Sequence, residues 1–305
     1  MLPARREDII VIGCGCLGSA LAVRLGARCN IFVHDVDADR LKQFHSGAVK
    51  GVHALKRLGD GKGRVFDAAI ITTKCRDVKI AASALARHCQ ARRVLFLQNG
   101  DFPLAWTRKI FPKAAICRGV TTMAARTGAR GAVDILFEGR TSVGAFAGEL
   151  ADARWFADVF ERAGLHASAV GDYRGAVWSK LIFSAVMNPL PILIDGDYGA
   201  LRTDKDIYDL VIKAMDEGKQ VARAMKIPLA FDPAAIVRAL RNKGGRGMAH
   251  RGSMYHDLMR HVPSEAPYIT GAVTARARAL GIKTPVLDTI GALTGIMEQY
   301  GKFGR

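Results

Sequence analysis

The chain is short of several things, and each shortage removes a class of protein. It has only six cysteines, Cys14, Cys16, Cys29, Cys75, Cys89 and Cys117, with no C-x-x-C pair and no accompanying histidine cluster. That spacing suits neither a zinc site nor a redox dithiol, so the thiols are expected to be reduced and structural. No apolar run approaches the ~20 residues that cross a bilayer. Met1–Asp8 leads toward the first strand without the apolar core of a signal peptide. A cytoplasmic protein with no membrane partner is the expectation. Acidic residues are also scarce: 28 against 45 lysines and arginines leave a net charge of +17. The basic residues are scattered and carry no nucleic-acid-binding motif, so nucleic acid is not an expected partner. An anionic cofactor and an anionic small-molecule substrate would be attracted to such a surface. Internal repeats and low-complexity tracts are missing too. Half of the 305 residues are hydrophobic, enough for two globular domains with a core each.

What is present starts with Ile9-Ile10-Val11-Ile12, a run of branched apolar residues that reads as a buried parallel strand. It runs directly into Gly13-Cys14-Gly15-Cys16-Leu17-Gly18, a G-x-G-x-x-G pattern, and a helical pattern follows (Leu17, Leu21, Ala22, Leu25). In a dinucleotide site Gly13 makes the tight turn, Gly15 admits the pyrophosphate, and Gly18 lets helix and sheet approach. The N–H groups at the helix start face the phosphates. A second strand, Asn30–His34, ends at Asp35, 22 residues beyond Gly13. That is near the ~20 expected of the acid that binds the ribose hydroxyls of NAD. A carboxylate there repels the extra phosphate of NADP, which tilts the reading toward NAD; Arg40 works the other way. Asp37 competes for the ribose role, and either acid could instead cap a helix over Ala38–Phe44.

A short strand is expected over Val52–Leu58, and a buried one over Asp67–Lys74 that carries a lysine to the edge where open α/β sheets bind ligands. A helix over Val78–His88 precedes the strand Val94–Gln98, which ends at Asn99-Gly100. Residues 114–146 read as closing strands, Leu150–Ala163 as a helix and Ala167–Val170 as a last strand. From Tyr173 onward helical periodicity takes over. The fold class is therefore α/β: an N-terminal Rossmann domain (residues 1–170) and a C-terminal all-helical domain (171–305), with the active site expected in the cleft between them. On the helix Trp178–Asn188, Lys180, Ser184 and Asn188 share one face at i, i+4, i+8, and Pro189 ends or kinks it. A polar stripe with a lysine on an apolar helix is costly unless it lines a cavity or is paired. The glycine-rich basic run 241–252 is expected to move as substrate binds.

Taken together the chain resembles the ketopantoate reductase (2-dehydropantoate 2-reductase) family. The resemblance rests on GCGCLG (13–18), the strand ending in Lys74, QNG (98–100), GVTTMAA (119–125) and WSKLIFSAVMNPL (178–190). It continues through GSM (252–254), SEAPYITG (264–271) and ARALGIKTP (277–285). It implies NAD(P)H-dependent reduction of a small 2-oxo acid, with ketopantoate to pantoate in pantothenate biosynthesis as the leading reaction. Lys180 would then be the proton donor, oriented by a carboxylate such as Glu265. Asn99 would touch cofactor and substrate, and Ser184, Asn188, Tyr198, His250 and Ser253 would bind the substrate. Lys74, Ala125 and Glu265 would join Gly13, Cys14, Gly15, Cys16, Leu17, Gly18 and Asp35 on the cofactor side. Ser184, Tyr198 and His250 stand where the family commonly carries asparagine, which opens the alternative of a different 2-oxo acid. A regulator that senses NAD(P) without turnover is a further alternative, but it would need none of Lys180, Asn99, Asn188, Ser253 and Glu265. A homodimer is left open.

Overall fold

The computed structural model describes residues 5–47, 49–127, 133–243, 249 and 251–301. The chain forms two compact units, Met1–Gln98 with Pro103–Tyr173, and Asn99–Phe102 with Arg174–Arg305. The first unit contains β1 (Asp8–Ile12), α1 (Cys16–Gly26), β2 (Asn30–His34), α2 (Ala38–Leu41), β3 (Val52–Ala54), β4 (Val65–Phe66) and β5 (Ala68–Ile71). Then come α3 (Val78–His88), β6 (Gln90–Ala91), β7 (Arg93–Phe96), α4 (Thr107–Ile110), β8 (Ala115–Thr121), β9 (Ala124–Thr127) and β10 (Val133–Phe137). The unit closes with β11 (Thr141–Ala147), α5 (Leu150–Arg162) and β12 (Ala167–Ala169).

The main sheet has eight strands in the order β12-β11-β8-β7-β5-β1-β2-β3. β1, β2, β3, β5, β7 and β8 pair in parallel, and β11 returns antiparallel to β8. β1 is central and sealed: Ile9, Ile10 and Val11 are wholly buried, and Ile9 and Val11 share one core with Leu21, Ala22 and Leu25 of α1 and Phe156 and Phe160 of α5. This is the doubly wound arrangement that the apolar run and the helical period call for.

Several expectations shift in detail. The strand expected over Val52–Leu58 is only β3, and Leu58 starts a 3-10 turn, Leu58–Gly61. β5 stops at Ile71, so Lys74 caps a second 3-10 turn, Cys75–Asp77, rather than ending the strand. β9 and β10 pair antiparallel as a separate two-stranded sheet beside α1 and do not join the main sheet. Sequence patterning marks apolar alternation but not the ladder a strand joins, which depends on partners far along the chain.

The second unit is helical: α6 (Tyr173–Met187), α7 (Leu190–Leu193), α8 (Ala200–Thr203), α9 (Lys205–Ala224), α10 (Pro233–Lys243), α11 (Gly252–Met259), α12 (Thr270–Ala279) and α13 (Pro285–Tyr300). Its core is built on α6, with Trp178, Leu181, Ile182, Ala185 and Val186 packed among Met215, Val221, Val273 and Ile290. Gly218 of α9 lies against Ile182, where an added Cβ would come within 2.9 Å of the isoleucine methyl. Thr270 Oγ1 donates to Ala185 O of α6 at 2.8 Å. Glu217 accepts from Val286 and Leu287 N–H at 3.0 and 2.9 Å, satisfying two of the otherwise unpaired donors that open α13. The segment Tyr173–Leu193 is after all long and apolar enough to cross a bilayer, yet 83% of its apolar window is buried in protein, as a core helix requires.

Candidate active site

In the first unit the glycine loop is locked by contacts that leave no room for side chains. Gly13 has φ +98°, and its N–H donates to His34 O at 2.9 Å, joining the ends of β1 and β2. A Cβ on Gly18 would lie 1.9 Å from Gly13 O, so the first turn of α1 is pressed onto the loop. Above Gly15, by contrast, a Cβ would meet nothing within 4 Å, and no side chain caps α1. An open approach onto the bare start of a helix is the cradle a pyrophosphate needs. Thr72 Oγ1 holds the loop from behind by donating to Gly13 O at 2.7 Å. Thr73, whose N lies 2.8 Å from a Cβ placed on Gly13, keeps a buried hydroxyl with no partner among the described residues. Sequence reasoning passed over both threonines. Their one signal was position, directly after a strand that ends at the loop.

The two acids after β2 have separate tasks. Asp37 caps α2 by accepting from Asp39 N–H at 3.0 Å. Asp35, 7% exposed, accepts from Cys14 N–H at 2.6 Å through Oδ2 and from Asp37 N–H at 2.9 Å through Oδ1. It therefore sits against the glycine loop and does not cap the helix. Arg40 bridges the pair, 3.5 Å from Asp35 and 3.2 Å from Asp37. Cys14 is buried beside Asp35, and both burial and that carboxylate push its thiol well above its ordinary range. Cys16 and Leu17 open α1, and Ala125 lies on β9 opposite Ile135. Gly13, Cys14, Gly18, Asp35 and the Thr72–Thr73 strand end thus share one neighbourhood. Among the described residues no group of three or more His, Cys, Asp or Glu could hold a metal ion.

In the second unit, Lys180, Ser184 and Asn188 follow the α6 face and its continuation. Ser184 Oγ and Asn188 Nδ2 are buried without hydrogen-bond partners among the described residues. Lys180 is half-buried, and its closest recorded neighbour is the Phe183 ring, 5.7 Å from Nζ. Removal from water lowers its pKa to about 8. No carboxylate lies within ion-pair reach of it among the described residues, so the expected Glu265–Lys180 pair is not formed. Glu265 instead heads the 3-10 turn Ala266–Tyr268, and its carbonyl accepts from Tyr268 N–H at 2.9 Å. Tyr268 O in turn accepts from Asp101 N–H at 2.9 Å, which ties the Asn99–Phe102 segment to the Glu265 turn.

At the other end of the stripe Tyr198 is buried, and burial raises its phenol pKa. A Cβ on Gly252, itself at φ +72°, would lie 3.2 Å from Tyr198 Oη and 3.9 Å from Asn188 Oδ1. The start of α11, with exposed Ser253 in its first turn, is thereby set beside Asn188 and Tyr198. His250, and most of the basic run before it, lie outside the described residues.

Residues 9–148 match the family model "Ketopantoate reductase PanE/ApbA", and residues 172–298 match its C-terminal counterpart. The 2-dehydropantoate 2-reductase of Halobacterium salinarum is 30% identical over 237 residues, 77% of either chain. Among solved structures, a PanE/ApbA family ketopantoate reductase from Ralstonia eutropha superposes with a TM-score of 0.84 at 23% identity, covering 97% of this chain and 99% of its own. D-mandelate dehydrogenase with NADH and anilino(oxo)acetate gives the same TM-score, 0.84, at 22% identity, covering 95% and 98%. With both of its halves matched, the chain belongs to the PanE/ApbA ketopantoate reductase family of NAD(P)-dependent oxidoreductases acting on 2-oxo acids.

Proposed function

We propose that the chain reduces 2-dehydropantoate to pantoate, the reaction in the names of its relatives, as a step of pantothenate biosynthesis with Lys180 as the proton donor. One observation carries the reading. Lys180, whose pKa burial lowers to about 8, shares a helix face with two buried polar groups, and among the described residues it has no counter-ion and they have no hydrogen-bond partner. Such a stripe is costly to fold and suited to an anionic, oxygen-rich ligand. A reduced nicotinamide, when bound, supplies the hydride. Lys180 stabilises the negative charge that grows on the keto oxygen and delivers its proton there. Asn188 and Ser184 satisfy their orphan atoms on the substrate, Ser253 and Tyr198 close the far end of the stripe, and Asn99 meets both cofactor and substrate. Lys74, Ala125 and Glu265 belong to the cofactor side.

Asp35 supports NADH over NADPH. Its buried carboxylate already takes two backbone N–H groups, and Arg40, the nearest base after β2, is shared between Asp35 and Asp37. A 2′-phosphate would face two carboxylates for one guanidinium. A second substrate reading rests on Ser184 and Tyr198. Where an amide can both donate and accept, these offer a short hydroxyl and a bulky phenol, which suits a 2-oxo acid with fewer polar groups than ketopantoate. Assays with NADH and NADPH against a panel of 2-oxo acids, phenylglyoxylate and ketopantoate included, separate the readings. No turnover of any 2-oxo acid would leave the NAD(P)-sensing alternative. Association as a homodimer belongs to the same proposal and is read by sedimentation equilibrium.

A further inference from the structure

β7 and β8 run parallel with Phe96 opposite Arg118, but β7 ends there while β8 continues to Thr121. A parallel ladder that parts in this way strands the carbonyls of the strand that leaves. Here the guanidinium of Arg118 takes them up. Nη1 donates to Phe96 O at 3.0 Å and to Gly119 O at 2.7 Å, and Nη2 donates to Gln98 O at 2.9 Å. Arg118 is 1% exposed and the bulkiest side chain so fully enclosed in the described chain. An arginine survives such burial only if its donors are met, and a planar fork can hold two carbonyls of one departing strand at once. Gln98 extends the network, with Nε2 donating to Ile71 O of β5 at 2.7 Å. The ends of three strands are therefore stitched together immediately before Asn99.

We infer that Arg118 is a positioning residue for the reductase. By clamping the carbonyls of Phe96 and Gln98 it fixes the peptide from which Asn99 projects, and so sets the orientation in which that amide meets the reacting groups. The inference rests on the reading of the chain as a 2-oxo acid reductase with Asn99 in contact with cofactor and substrate. Lysine is not an equivalent replacement, because a single ammonium lacks the planar fork.

The test uses the full chain and four variants, Arg118→Lys, Arg118→Met, Asn99→Ala and the double variant Asn99→Ala/Arg118→Lys. The expected result for both Arg118 variants is a fall in kcat of about 10- to 100-fold, with NADH affinity within about threefold of wild type. The double variant is expected to be no slower than Asn99→Ala alone, since a residue that acts through Asn99 has nothing to act on once the amide is gone. Amide hydrogen exchange over residues 97–102 rises in Arg118→Lys. Multiplicative losses in the double variant, a wild-type kcat in Arg118→Lys, or unchanged exchange over 97–102 overturns the inference. If Arg118→Met does not fold, Arg118→Lys decides alone. If the wild type reduces no 2-oxo acid, the reductase reading fails on its own account. The exchange comparison then still decides whether Arg118 anchors the segment.

Discussion

Replacing Lys180 with Met is expected to make the protein inactive and more stable at once. Burial lowers the lysine from 10.5 to about 8, and each pKa unit corresponds to ~1.4 kcal/mol. Keeping the ammonium charged in the folded protein at pH 7 therefore costs about 3 kcal/mol, or about 1–3 kcal/mol once partial exposure of the side chain is allowed for. Methionine has similar length and no charge, so it removes the cost and keeps the packing. Urea unfolding at pH 7 should show the variant stabilised by that amount. The sign of the pH dependence follows from linkage. Between pH 8 and 10.5 the unfolded chain holds a proton that folded Lys180 has lost, so this lysine's destabilisation is full below pH 8 and fades as pH rises through that window. The stability gap between variant and wild type should close accordingly. Turnover should fall by about 10²–10⁴-fold. In the wild type kcat/KM for reduction should decline above about pH 8 as the donor loses its proton. A destabilised variant, a gap that ignores pH, or turnover within a few-fold of wild type would refute the reasoning.

Asp35→Ala should weaken both cofactors through loss of the Cys14 contact while shifting preference toward NADPH. Steady-state kinetics should show kcat/KM discrimination moving by about ten- to a thousandfold, the size of a like-charge contact of about 1–4 kcal/mol. A wild type that prefers NADPH counts against the ribose role. Restoring amides with Ser184→Asn and Tyr198→Asn should raise kcat/KM for ketopantoate relative to phenylglyoxylate; an unchanged ratio removes these positions from specificity. Gly18→Ala drives a methyl into Gly13 O, so NADH titration should show affinity lost by at least ~100-fold or the fold lowered in Tm.

The βαβ start of the chain was legible because its signals are local: a wholly apolar strand, three glycines at fixed spacing and an acid at the end of the next strand. Helix α3 was legible to the residue for the same reason. Where two readings shared one local signal, as for Asp35 and Asp37, only the hydrogen bonds could divide them, one acid turning to Cys14 and the other to Asp39. Contacts across long separations left no trace in the pattern. Nothing in the composition of β8 says that Arg118 faces inward onto carbonyls of β7, or that Glu217 caps a helix 69 residues away. The Glu265–Lys180 pair failed differently. Opposite charge alone suggested it, and among the described residues no ion pair joins the two.

The apolar length of Tyr173–Leu193 also has a consequence during synthesis. Every buried residue of the core around this segment outside it, from Tyr198 to Ile290, follows it in the chain. A ribosome working at about 5–20 residues per second needs on the order of 5–20 seconds to make the roughly 100 residues that separate Leu193 from Ile290. For that interval the nascent chain displays a bilayer-length apolar helix with no core to enter. Its only charges are Arg174 near the start and Lys180 within, and Pro189 and Pro191 interrupt its far end. The lysine that taxes the finished fold is thus also a charge that keeps the unfinished one in water.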